Sequence, residues 1–241
     1  MRVSQIFLST QEKDKRQELS LPLKRAINSV RGAFASADYQ LYDNESIVDF
    51  LKDCYGKEVL DAFFSLRSLA YRCDLARYCL LYELGGWYFD CGLTCHTEVE
   101  LSERVELIAF RSMQRFAMNS WACDNGIIFA KPKHQALDIA INKVLANVAS
   151  KYYGITPLCP TGPSLWGESL AACSHNVRTS MVFGDCMELT PAHSRTNKSF
   201  VLPDGTIFAA CKPTEGGDLK KMGATDTNNY NELWHRRIVY E

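Results

Sequence analysis

The sequence predicts an α/β fold, a sheet flanked by helices, and three observations carry that prediction. From Gln5 to about residue 149, apolar strand-like segments alternate with helical ones. Beyond the helix that follows Pro163, short strands dominate, an order that suits an α/β sheet with β additions. Between Leu69 and Leu84 almost every residue is apolar or aromatic, so this stretch reads as a largely buried helix. Gly85-Gly86 stops it, the first glycine suiting a left-handed position, and Trp87-Tyr88-Phe89 reads as a short buried strand.

The remaining elements follow in order. Gln5–Leu8 reads as the first strand, 12–31 as a helix of alternating basic and apolar groups, and Tyr39–Tyr42 as the second strand. Asn44 is the expected N-cap of a helix over Glu45–Cys54, and another helix covers Val59–Leu66. Strands follow near Glu106–Phe110 and Gly126–Ala130, then a helix over 134–149. Pro160-Thr161-Gly162-Pro163 is a turn that launches a helix over Leu165–Cys173. Short strands are expected at Met181–Phe183, Met187–Leu189, Phe200–Leu202 and Ile207–Cys211. The chain shows no repeats and no clear linker, and 241 residues are expected to form a single domain, 1–241, with a lid over about 214–241.

Composition excludes several classes. A formal net charge of −1 argues against a nucleic-acid binder, which would carry a basic surplus. The pairs Lys220-Lys221 and Arg236-Arg237 either serve a diphosphate or are solvated. No apolar run approaches the roughly 20 residues that span a bilayer, and Met1–Leu8 is too short for a signal-peptide core. A soluble, cytoplasmic protein is therefore expected. The 10 cysteines are spread thinly with no Cys-x-x-Cys, and read as reduced, buried small hydrophobes. Cys91, Cys95 and His96 lack a fourth ligand at standard spacing and make a poor zinc signal.

Asp74, Arg77 and Asp90 place charge where an ordinary core has none. Asp74 and Arg77 stand at i and i+3 on one face of the buried helix. Asp90 ends the aromatic strand, at the edge where open α/β sheets bind ligands. The pair could be a local salt bridge and Asp90 a turn residue. The combination with Gly85-Gly86 and the aromatic strand favours a shared crevice.

The string Asp74-x-x-Arg77-Tyr78, Leu81-Tyr82, Gly85-Gly86-x-Tyr88-x-Asp90 resembles the central motif of glycosyltransferases with a DXD sugar-binding region. These are the capsular-polysaccharide and yeast mannosyl types and, more distantly, the clostridial glucosylating toxins. Weaker matches stand in the right order: Asp43 through Val48, Asp124 through Ala130 with Pro132 and His134, and Trp234. The resemblance implies a GT-A fold, a nucleotide-sugar-binding α/β type with a central mixed sheet. It implies a retaining transferase that moves a sugar from a nucleotide diphosphate sugar, a UDP-sugar by preference, to a glycan acceptor. Asp74 and Arg77 would bind the sugar hydroxyls, with Arg77 also able to reach a phosphate, and Asp90 would meet the ribose and a metal. Tyr88 would lie beside the donor, Ile6 and Phe7 would flank the base, and Asp124 and Asn125 would face the sugar or acceptor. Trp234 would offer its indole N–H to the diphosphate.

Mn²⁺ or Mg²⁺ is the cofactor that the resemblance implies, and here the sequence departs from it. The motif reads Asp90-Cys91-Gly92, with glycine where the second carboxylate belongs. Hard cations want oxygen ligands. The expected ligands are then Asp90 with Asp226, Asn229 and Glu232 of the lid, or else Arg and Lys replace the ion. Two alternatives stay open: a turnover-deficient nucleotide-sugar-binding scaffold, and an effector that glycosylates a protein acceptor.

Overall fold

The computed structural model describes residues 1–9, 19–113, 117–174, 180–189, 198–211 and 229–241. The strands among them are β1 (Arg2–Ile6), β2 (Asp38–Tyr42), β3 (Gly86–Phe89), β4 (Thr94–Cys95), β5 (Leu107–Arg111), β6 (Cys123–Ala130), β7 (Met181–Glu188), β8 (Lys198–Val201) and β9 (Ile207–Ala210). The helices are α1 (Leu21–Ala33), α2 (Asn44–Cys54), α3 (Lys57–Ser65), α4 (Leu69–Leu84), α5 (Gln135–Ala149), α6 (Pro163–Cys173) and α7 (Tyr230–His235). The strands form one mixed sheet in the order β2-β1-β3-β6-β5-β7-β8-β9-β4. β1 runs parallel to β2 and β3, whereas β6 enters antiparallel between β3 and β5.

Strand alternation divides the core into two faces. Tyr88, Ile128, Ala130, Leu107 and Ala109 point to the face covered by α2 to α6. Trp87, Phe89, Ile127, Phe129, Ile108 and Phe110 point to the other face, where Val30 and Phe34 at the end of α1 meet Phe208 of β9. The central strands are covered on both sides, which is why they read as continuous apolar runs.

α4 lies inside the molecule against α5, β1, β3 and β6. It carries no polar face: Leu75, Ala76, Cys79, Leu80 and Leu81 are buried along with Asp74 and Arg77. Gly85 caps it at φ +63°, its N–H donating to the Leu81 carbonyl. Gly86 follows at φ +91°, already in β3, and a Cβ there would meet the Arg2 carbonyl oxygen at 2.3 Å. The helix can therefore turn into the sheet's centre within one step.

Several boundaries differ from the sequence reading. β1 is Arg2–Ile6, not Gln5–Leu8, because its register with β2 begins at Arg2↔Asp38. Ser20 caps α1, which begins at Leu21 with Pro22 in its first turn; residues 12–18 lie outside the described residues. The cap of α2 is Asp43, whose side chain accepts from Ser46 N–H in a capping box. Asn44 instead binds both the N–H and carbonyl of Ser9, tying the chain after β1 to the start of α2. The two expected strands at 181–183 and 187–189 are one, β7, since Gly184 packs on Phe110 without a break in pairing. The expected lid contains a short helix, α7, while residues 212–228 lie outside the described residues.

Gly86→Ala should lower unfolding free energy by about 1–3 kcal/mol or more through a strained φ and the clash with Arg2. Gly32→Ala, inside α1 with nothing within 4 Å of the added methyl, should gain up to about 1 kcal/mol. Urea denaturation followed by circular dichroism would measure both.

Candidate active site

The carboxyl ends of β1 and β3, the middle of α4, the start of β6 and the 155–163 loop surround a cavity of about 610 Å³. Antiparallel pairing of β3 with β6 matters here. The Asp90 N–H donates to the Gly126 carbonyl at 2.8 Å, so Asp124, Asn125 and Asp90 stand at the same edge.

Arg77 is the hub of the cavity floor. Its guanidinium lies 3.1 Å from Asp74 Oδ1 and 3.1 Å from Asp90 Oδ1. It also donates to the carbonyls of Asn125 and Cys73, and its charge sits 4.7 Å from the centre of the Tyr88 ring. The Arg77 side chain is 4% exposed, against 40% for Asp90. Burial alone would lower the Arg77 pKa, but the charges of Asp90 and Asp74 outweigh it and raise the pKa well above the usual value.

Asp74 is held from three directions. Thr161 Oγ1 donates to Oδ2 at 2.7 Å, Asn125 Nδ2 donates to Oδ1 at 2.9 Å, and Arg77 completes the set. Burial pushes the Asp74 carboxyl up to about 6, against the pull of Arg77 and Thr161. Asn125 Nδ2 also donates to the Tyr78 hydroxyl, which in turn donates to the Thr161 carbonyl at 2.9 Å.

The structure places Ile6, Phe7, Asp74, Arg77, Asp90, Asp124, Asn125 and Trp234 on the cavity wall. Tyr88 is placed differently. It is wholly buried behind Asp90, to which its hydroxyl donates at 2.9 Å, because strand alternation turns it toward α4. It orients Asp90 and does not reach the cavity. The Trp234 indole N–H is spent on the Tyr153 carbonyl at 2.8 Å, so it is not the free donor that the sequence suggested.

The described residues do not fit a divalent ion. Asp90 Oδ1 is engaged by Arg77 and Tyr88, and Gly92 brings no side chain. The Asn229 side chain caps α7, Glu232 pairs with Arg236, and neither is among the residues that line the cavity. Asp226 lies outside the described residues. Among the described residues no group of three or more His, Cys, Asp or Glu is placed to hold a metal.

Three site residues escaped the sequence. Tyr78 lies within the motif string yet carries no sign of its Thr161 contact. Thr161 is 87 residues from Asp74, in a stretch that shows only turn chemistry. Lys198 meets Asp124 at 3.3 Å across 74 residues.

Arg77→Met should destabilise the fold by about 3–5 kcal/mol, since it strands Asp74 in the core without its counter-charge. Thr161→Val should cost about 1–3 kcal/mol by removing one donor to a buried carboxylate. Chemical denaturation of both variants at pH 7.5 checks the order.

Residues 22–108 match the family described as the glycosyltransferase sugar-binding region containing the DXD motif. An uncharacterized glycosyltransferase, L373, of Acanthamoeba polyphaga mimivirus is 26% identical over 143 residues, covering 58% of this chain and 54% of that protein. The chain thus aligns with about half the length of this relative. The structure of the PaToxG glycosyltransferase superposes with a TM-score of 0.53 at 14% identity, covering 71% of this chain and 68% of that one. At that identity the likeness concerns the fold. Over residues 22–108 the chain is therefore similar to the glycosyltransferase sugar-binding region containing the DXD motif, and its fold is similar to that of a glycosyltransferase of known structure.

Proposed function

We propose that the chain is a retaining glycosyltransferase that takes a sugar from a nucleotide diphosphate sugar, a UDP-sugar by preference, and passes it to a glycan acceptor. The observation that carries this reading is Arg77 clamped between Asp74 and Asp90 at the floor of the cavity. Sugar recognition needs fixed oxygens and a fixed cation, because each hydroxyl both donates and accepts. A preorganised array meets that need at little reorganisation cost. The sugar-binding family match over residues 22–108 supports the same reading.

Roles follow from the placement. Asp74 and the outer oxygen of Asp90 accept from sugar or ribose hydroxyls, while Arg77 fixes both carboxylates. Tyr88 holds Asp90 from behind, and Asn125 and Thr161 hold Asp74. Ile6 and Phe7 offer an apolar wall to the base. Each described cavity carboxylate is ion-paired: Asp74 and Asp90 with Arg77, Asp124 with Lys198. An inverting displacement calls for a base ready to take the acceptor's proton. The paired carboxylates suit retention better.

Incubation with a panel of UDP- and GDP-sugars should release nucleotide from at least one donor. A panel without release, with nucleotide still bound, would favour a binding scaffold. Asp74 must be ionised to accept hydroxyls, so release should fall as pH drops through about 6 and be complete above it. Asp74→Asn should lower turnover on the order of 10- to 100-fold and flatten that acidic limb, as read from the pH profile of released nucleotide.

A further inference from the structure

The cavity has a charge problem. Among the described residues that line it, the acids are Asp74, Asp90 and Asp124, and the Arg and Lys side chains are Arg77 and Lys198. A diphosphate brings further negative charge to this surplus of acid. Arg77 is already committed to Asp74, Asp90 and two backbone carbonyls. An ammonium, by contrast, has three N–H donors.

Lys198 opens β8 on the cavity wall with its side chain 22% exposed. Its Nζ lies 3.3 Å from Asp124 Oδ2, and Asp124 Oδ1 in turn accepts from the Gly126 N–H at 2.9 Å. Asp90 Oδ2 and Asp124 Oδ1 lie 2.9 and 3.1 Å from the point where a Cβ on Gly126 would sit, so the two carboxylates flank this glycine. The Lys198–Asp124 pair thus stands beside the one carboxylate that Asp90-Cys91-Gly92 retains.

We propose that the Lys198 ammonium, seated on Asp124, receives the donor's diphosphate and supplies there the positive charge that the described residues are not arranged to hold as a divalent ion. The proposal rests on the nucleotide-sugar reading above and adds the group that meets the leaving diphosphate. As the bond between the anomeric carbon and the diphosphate oxygen breaks, the electron pair stays on that oxygen, and Lys198 offsets the charge by a charge-assisted hydrogen bond. Burial pulls the Lys198 pKa down, but the Asp124 carboxylate outweighs it and holds the pKa above the usual lysine value.

Calorimetric titration of UDP and of uridine, each with EDTA and with Mn²⁺, tests this. Wild-type protein should bind UDP in EDTA. Lys198→Met should weaken UDP at least about tenfold and leave uridine unchanged, while Lys198→Arg should restore most of the loss. Asp124→Asn, which removes the ammonium's seat and the charge that offsets its burial, should weaken UDP and leave uridine unchanged; a purely structural ion pair predicts that both weaken together. That arm also decides the matter if Lys198→Met fails to fold. UDP binding that needs Mn²⁺, or Lys198→Met binding UDP as wild type does, overturns the role of Lys198 alone. Absence of any UDP or GDP binding by the wild type overturns the nucleotide-sugar reading and this proposal with it.

Discussion

A guanidinium with 4% exposure needs a complete set of partners, and much of the site's architecture supplies that set for Arg77. Two carboxylates arrive from different elements, Asp74 from one turn back on α4 and Asp90 from the end of β3. The carbonyls of Asn125 and Cys73 take further donors, and the Tyr88 ring closes the remaining face. Each partner has to be held in turn. Asp74 requires Thr161 and Asn125, and Tyr78 links those two. A helix with no polar face, a sheet edge and a distant loop are thereby locked around one charge.

Sheet topology makes this possible. With β6 antiparallel between β3 and β5, its first residues meet the last residue of β3, and Asp124 and Asn125 arrive where Asp90 ends. A parallel strand at that place would present its opposite end to the cavity. Gly85 and Gly86 have an equivalent role on the other side, since they let α4 pass directly into β3 with Asp74 and Arg77 still near the sheet edge.

Gly92, where the motif that the chain resembles has a second carboxylate, is what distinguishes this chain. The acidic neighbour of Asp90 is Asp124, which comes from another strand and already holds Lys198. Among the described residues that line the cavity, the Arg and Lys side chains are thus Arg77, held by two carboxylates, and Lys198, held by one. This arrangement couples β3, β6 and β8 electrostatically, although β8 stands four places from β3 in the sheet.

By itself the sequence determined the α/β class, the burial of Leu69–Leu84, the stop at Gly85-Gly86 and the convergence of Asp74, Arg77 and Asp90. These are local signals: an apolar run, a glycine pair and charges at i and i+3 act within a few residues. Boundaries were less legible. The cap of α2 shifted to Asp43 because Asn44 serves Ser9, and β7 bridged two apparent strands because its pairing with β5 and β8 is continuous. Tertiary structure alone decided that Tyr88 faces inward, that the Trp234 N–H binds Tyr153, and that Thr161 and Lys198 join the site. The physical reason is separation: those contacts cross from 74 to 87 residues in three of the four cases, beyond any periodicity, and Tyr88 depends on which sheet face α4 covers.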